Sequence, residues 1–245
     1  GVVVDLLNGT ASDGSGGTDI LDTIENVSGS VFADSLTGDA GDNSFRGLRG
    51  NDTISGGAGN DWVRYDRDYI FSGVGGVTVN LAAGTAIDGF GNTDTLSGIE
   101  NVDGTAAGDL LTGNGAANIL MGQFGDDTLD GGGGDDTLIG GADNDTVNLA
   151  GLQSNYVFSG TTTSFTAFDS TNPGAGTDTL QGIEFVRFSN GTTVSVASLG
   201  LPVGNTPPTV GGLVDLGGVA EDGSRLITAA QLLAGSSDGD NDPLS

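Results

Sequence analysis

Cysteine, histidine and lysine are all missing from the 245 residues, and Met and Trp occur once each. Without Cys and His the chain has no disulfide, no zinc site of the usual kind and no imidazole base. Without Lys it has neither a Walker-type phosphate loop nor a Schiff-base amine. No apolar run approaches the ~20 residues of a membrane-spanning helix, so membrane insertion is not expected. Six Arg against 33 acidic residues give a net charge of −27, which argues against nucleic acid or an anionic membrane as partner.

What is abundant is Gly, 47 residues of it, together with Asp. Glycine at that level without a three-residue period indicates either low-complexity disorder or a repeat fold built on tight turns, and periodicity decides between them. The natural counter-ion is a hard cation, because carboxylates and turn carbonyls are calcium ligands. Calcium (Ca2+) is therefore the expected cofactor.

The periodicity is strong. Residues 1–75 align with 76–150 without a gap, matching at about 30 positions. Ile24-Glu25-Asn26-Val27 returns as Ile99-Glu100-Asn101-Val102, and Asp34-Ser35-Leu36-Thr37-Gly38 as Asp109-Leu110-Leu111-Thr112-Gly113. A diverged third copy keeps Asp178-Thr179-Leu180 and Gly182-Ile183-Glu184. Inside each long copy runs a period of nine. Gly38, Gly47 and Gly56 lead nonads in the first, and Gly104, Gly113, Gly122, Gly131 and Gly140 in the second. Five residues after each leading position stand Asp34, Asn43, Asp52 and Asp61, then Asp109, Asn118, Asp127, Asp136 and Asp145. An apolar residue follows two places later, as in Phe45, Ile54, Leu120 and Leu138.

The pattern Gly-Gly-x-Gly-x-Asp-x-apolar-x has a physical reading. Glycines at the first, second and fourth places permit positive φ and close approach of adjacent turns, so six residues form a carbonyl-rich turn. The remaining x-apolar-x is a short strand with its middle side chain inward. Two nonads make one coil of a parallel roll, and like edges recur every eighteen residues. Stacking then places Asp34 over Asp52, Asn43 over Asp61, Asp109 over Asp127 over Asp145, and Asn118 over Asp136. Such carboxylates repel unless a cation lies between them, and each gap with its carbonyls approaches the six to eight oxygens calcium prefers. These nine residues are the candidate metal ligands, with the gaps involving Asn43 and Asn118 expected to bind more weakly.

Nonads of this kind resemble the RTX β-roll of proteins exported by Gram-negative type I secretion, over residues 29–64 and 104–148. The resemblance implies an all-β fold, a parallel β-roll or β-helix solenoid with calcium in its turns, in a secreted or cell-surface protein. The organisation expected is a strand-rich spacer at 1–28, a nonapeptide block at 29–64, a spacer at 65–103, and a second block at 104–148. A diverged β segment at 149–204 and a Pro linker with the start of a cadherin-like β-sandwich at 205–245 complete it. In the spacer, the alternation Val77, Val79, Leu81 indicates a strand with one buried face that continues the stack. Asn205-Thr206-Pro207-Pro208-Thr209 is the linker signal, and the acidic stretch after it resembles the opening of an adhesin repeat. The chain starts without Met and ends without a terminating pattern, so it reads as an internal fragment.

The function expected is a calcium-rigidified display module of an adhesin, with no catalytic residues and no enzyme activity of its own. Its partners would be calcium ions and, for the whole protein, an extracellular or cell-surface polysaccharide or protein ligand, or further copies of itself. An accessory region of a secreted hydrolase or polysaccharide-modifying enzyme, or an S-layer or filament subunit, is the alternative. Gly235-Ser236-Ser237-Asp238-Gly239 fits the nucleophile pattern Gly-x-Ser-x-Gly but lacks any His to act as base. Asp238 to Asp242 lacks the Gly and the closing Glu of an EF-hand. Trp62, Arg64, Tyr65, Arg67 and Tyr69 are read as packing the end of the first block against the spacer rather than as a sugar-binding face.

Overall fold

In the computed structural model every nonad puts its apolar residue inward from a strand, of three residues in the first block as the pattern predicts but of four to six in the second, where all but the last strand run on into the next nonad's glycines. Leu36, Phe45, Ile54, Val63, Leu111, Leu120, Leu129, Leu138 and Val147 are all 0% exposed. Full burial of each stabilises the roll by about 1.5–3 kcal/mol. The structure describes residues 1–13, 15–71, 73 and 75–203, and the short strands at 209–210 and 236–237. The chain divides into two units, Gly1–Leu201 and Pro202–Ser245. In the second, Thr209–Val210 pairs antiparallel with Ser236–Ser237; the rest of the expected linker and cadherin-like start lies outside the described residues.

The first unit is two long sheets, of thirteen and nine strands, between which the strands of the nonad blocks alternate along the chain. Ser35–Thr37 and Thr53–Ser55 pair in parallel in the larger sheet, eighteen residues apart. Ser44–Arg46 and Trp62–Arg64, offset by one nonad, pair in parallel in the smaller. The second block repeats the scheme. Leu110–Asn114, Thr128–Gly132 and Thr146–Leu149 stack in the larger sheet, while Ile119–Phe124 and Thr137–Ala142 stack in the smaller. Among the described residues the only helices are short 3-10 turns, at Asp68–Phe71, Gln153–Asn155, Pro173–Ala175 and Val196–Leu199, and none is long and apolar enough to cross a membrane.

The spacer between the blocks does not interrupt the stack. Thr93–Ser97 lies parallel on Thr53–Ser55, and Asn101–Asp103 lies parallel between Trp62–Arg64 and Ile119–Phe124. The larger sheet accommodates two extra antiparallel strands, Thr85–Ile87 and Thr78–Asn80, before Leu110–Asn114 resumes the roll. Val77 and Val79 are buried as their alternation predicts, and Leu81 packs on the core from its edge. Val3–Asp5, Thr10–Ser12 and Asp19–Ile20 form the same antiparallel set ahead of the first block. At the far end, Thr177–Gln181 covers Thr137–Ala142 and Phe185–Phe188 covers Thr146–Leu149. Rings of Tyr156, Phe158, Phe165 and Phe188 pack together over the last coil.

Of the aromatic and Arg residues at the end of the first block, Trp62, Arg64 and Tyr65 pack it on the spacer, while Arg67 is exposed. The Arg64 guanidinium lies 4.7 Å from the centre of the Trp62 ring and pairs with Asp103 at 2.8 Å. The buried Tyr65 hydroxyl donates to Asp94 Oδ2 at 3.2 Å.

Candidate metal centre

Each of the five stacked pairs expected from the eighteen-residue period is joined by a hydrogen bond, in which the backbone N–H of one residue donates to the side-chain Oδ1 of the residue one coil on. Asp34 donates to Asp52 at 2.8 Å, Asn43 to Asp61 at 2.7 Å, Asp109 to Asp127 at 2.7 Å, Asn118 to Asp136 at 2.8 Å and Asp127 to Asp145 at 2.9 Å. The Asp therefore has a structural task that its position in a turn motif does not reveal: one oxygen ties coil to coil. Stacked carboxylates do not face one another across an empty gap, because a backbone N–H stands between them.

What the ladder leaves over divides the nine candidates. Asp52, Asp61, Asp127, Asp136 and Asp145 are buried, and the Oδ2 of each has no hydrogen-bond partner among the described residues. A buried carboxylate oxygen without a donor or cation is costly, on the order of 1–3 kcal/mol or more. Asp34 and Asp109 are closed differently. Asp34 accepts from Val2 N–H, Ser30 N–H and the Ser30 hydroxyl, and Asp109 accepts from Val77 N–H, Thr105 N–H and the Thr105 hydroxyl. Asn43 Oδ1 takes Asp39 N–H and Asn118 Oδ1 takes Asn114 N–H, while their amide groups donate to Glu25 Oε2 and the Glu100 carbonyl. The two residues on the first coil of each block are thus satisfied within the protein, and the five on later coils are not.

Each orphaned oxygen points at the leading glycine of its own nonad. A Cβ placed on Gly47, Gly122, Gly131 or Gly140 would lie 2.3, 1.9, 2.2 or 2.4 Å from the Oδ2 of Asp52, Asp127, Asp136 or Asp145. At several of them a glycine carbonyl of the next coil converges too: Gly140 O would lie 2.8 Å from a Cβ on Gly122, and Gly98 O would clash with a Cβ on Gly56. The first-place glycine is therefore needed for room, not for conformation. Positive φ is found at the second and fourth places, as at Gly132 (+93°) and Gly134 (+107°), where the sequence pattern also expects it.

Burial pushes these carboxyls up from the ordinary carboxylate range, to about 7 for Asp52 and Asp127 and to about 6 for Asp136 and Asp145, partly offset by the ladder hydrogen bond. Desolvation here penalises the charge, and a cation would restore it. Among the described residues no three acidic side chains cluster as a metal-binding group; the donors the structure brings to the leading glycines are one carboxylate oxygen per turn and, at Gly56, Gly122 and Gly140, a backbone carbonyl of the coil beyond. That set is hard and oxygen-only, which suits calcium better than any transition metal.

Four further ladder members escape the nonad pattern. Asp52 N–H donates to Asp94 Oδ1 at 3.0 Å and Asp61 N–H to Glu100 Oε2 at 2.9 Å. Asp136 N–H donates to Asp178 Oδ1 at 3.2 Å and Asp145 N–H to Glu184 Oε2 at 2.9 Å. Their signal was the recurrence of Thr-Asp-x-Leu-x-x-Ile-Glu-x-Val at 93–102 and 177–186, outside the nine-residue spacing.

The cradle makes a sharp contrast within one nonad. Gly131→Ala should drive a methyl into Asp136 Oδ2 and cost about 1–3 kcal/mol by overpacking, whereas nothing lies within 4 Å of a Cβ at Gly133. Thermal melts of the two variants in calcium should separate them by several degrees; equal melting would remove the cradle.

A family model described as the RTX calcium-binding nonapeptide repeat (4 copies) matches residues 28–63, 94–129 and 112–147. The second match begins at Asp94, on the coil that continues the ladder through the spacer. No curated protein sequence matches the chain. Among solved structures, the extracellular lipase LipA from Serratia marcescens is similar at 15% identity with a TM-score of 0.18, over 72% of this chain and 40% of the lipase. The chain thus spans less than half the length of that protein.

Proposed function

We propose that this chain, which carries RTX calcium-binding nonapeptide repeats in two blocks, is a calcium-rigidified structural segment of a secreted adhesin, in which Asp52, Asp61, Asp127, Asp136 and Asp145 supply the charged ligand oxygens. The observation that carries this reading is the row of buried Oδ2 atoms without partners, each aimed at a glycine cradle that a side chain would fill. When bound, calcium would supply the positive charge those oxygens lack. The protein's own part is to hold one carboxylate oxygen per turn among carbonyls, through a ladder that fixes the other oxygen.

Native mass spectrometry of the full chain in calcium should show about five ions, one per orphaned nonad oxygen. A chain that binds none would overturn the reading. Magnesium should substitute poorly, since its strict octahedral shell and short bonds do not suit carbonyl-rich turns. Calorimetric titration in which magnesium bound with similar affinity would contradict the ligand set.

A non-catalytic role is supported by how the acidic side chains are used. Each of the carboxylates in the ladder gives one oxygen to a backbone N–H, and no His or Lys is available as a partner base. The adhesin reading rests on the Pro-rich stretch and acidic motifs after residue 204; the hydrolase-accessory reading would place a catalytic domain in the adjoining polypeptide. Sequencing that region separates them: tandem repeats support the adhesin, a hydrolase domain the alternative.

A further inference from the structure

The same closing motif occurs three times, and among the described residues it is covered in two places and bare in the third. At 93–102 the last coil of the first block sits on it, and at 177–186 the last coil of the second block does. The contact is identical in both. Asp52 and Asp136 donate N–H to Asp94 and Asp178, and Asp61 and Asp145 donate to Glu100 and Glu184. In return Thr95 and Thr179 N–H donate to the carbonyls of Asp52 and Asp136, and Glu100 and Glu184 N–H to those of Asp61 and Asp145.

The first copy, Thr18-Asp19-Ile20-Leu21 to Ile24-Glu25-Asn26-Val27, has the same strands but, among the described residues, nothing upon them. Asp19–Ile20 is the edge of the larger sheet and Asn26–Ser28 the edge of the smaller. Ile24 is 40% exposed where Ile99 and Ile183 are 4% and 2%. Asp19 and Asn26 are exposed where Asp94 and Asn101 are fully buried. The backbone is nevertheless already shaped for a partner. Thr23 holds φ +54°, a left-handed conformation that costs an L residue strain, where Gly98 and Gly182 hold +58°. Two adjacent open strand edges carrying unpaired polar groups are a template for further β pairing.

We infer that this face is the seat of a calcium-bound nonapeptide coil entering from the N-terminal side, as the two blocks seat on the equivalent faces at 93–102 and 177–186. A second copy of the chain is a poor occupant, because among the described residues both of its block ends are already covered by spacer strands. The inference rests on the calcium-roll reading above. It adds that the segment is a joint in a longer continuous roll, with each closing motif receiving the block before it.

The gapless internal repeat supplies the junction for a test. In the full chain extended ahead of Gly1 by a second copy of residues 29–75, the added block meets the 19–28 face by the same connection that leads into residue 76. Hydrogen exchange in calcium should then slow at least tenfold at the amides of Ile20, Glu25 and Asn26, the equivalents of Thr95, Glu100 and Asn101, and the added block should gain protection. Thr23→Gly in the extended chain should slow exchange further, since a Cβ at the equivalent Gly98 meets Gly57 O at 3.0 Å. Asp19→Ala with Glu25→Ala should reverse the protection. Unchanged exchange at the three amides, or an added block that fails to fold on this face, overturns the inference. So does protection in the unextended chain that grows with protein concentration, which would assign the face to a second copy. The amides of 104–148 are the internal control: if they show no calcium dependence, the calcium-roll reading itself fails.

Discussion

Chelation of calcium at pH 7.5 should collapse the β signal of the chain in far-ultraviolet circular dichroism, and acidification of the same chelated sample to pH 5 should restore part of it. Both follow from the ladder. Asp52 and Asp127 titrate near 7 and Asp136 and Asp145 near 6 when folded without a cation, raised from 3.8 by burial. Between pH 4 and 7 the folded state therefore binds more protons than the unfolded state, and the stability of the calcium-free fold falls as pH rises through that window. Calcium competes with those protons, so its affinity should rise over the same interval. The apolar core cannot compensate, since apart from the one with Leu48 and Ile54 each nonad buries a single large side chain and the chain carries a net charge of −27. A chelated chain with the same β content at both pH values would show that the orphaned oxygens do not govern folding. A chain that unfolds in low calcium and folds in high calcium would be export-competent before it reaches the outside.

The roll was legible in the sequence because its two periods, nine and eighteen, are the physical repeat of the strand and the coil. Every nonad apolar residue is in the core, and all five stacked pairs are neighbours. What the period could not show is which carboxylates the protein satisfies by itself. Asp34 and Asp52 look alike in the pattern, yet Ser30 supplies both a hydroxyl and an N–H to Asp34, and the place equivalent to Ser30 ahead of Asp52 is Leu48. The same holds for Thr105 ahead of Asp109 and Gln123 ahead of Asp127. A hydroxyl at the second place of a nonad is the local sign that its Asp is closed. The spacers hid their ladder members because two antiparallel strands lengthen the step from 18 to 42 residues between Asp52 and Asp94, which no fixed period would find.

Replacing Asp61 or Asp127 by Ala should remove one calcium ion each and shift the calcium midpoint of folding on the order of tenfold, the equivalent of losing a charge-assisted hydrogen bond of about 1.5 kcal/mol or more. By sequence alone Asp61 is the end of its block with one neighbour, and Asp127 is interior with two, so Asp127 would be the more sensitive and the second block would fold first. The structure gives Asp61 a second neighbour, because its N–H donates to Glu100 Oε2 while its Oδ1 accepts from Asn43, and both residues carry an orphaned Oδ2. With the smaller sheet running unbroken through both blocks, nearest-neighbour coupling should make calcium-driven folding a single transition. Asp34→Ala and Asp109→Ala should weaken the roll by their lost hydrogen bonds but leave the number of bound ions unchanged, since both of their oxygens are held by Ser30 and Val2 or by Thr105 and Val77. Calorimetric titration of the four variants tests the division. If Asp34→Ala loses an ion as Asp127→Ala does, the oxygens that bind calcium are not the ones left unpartnered.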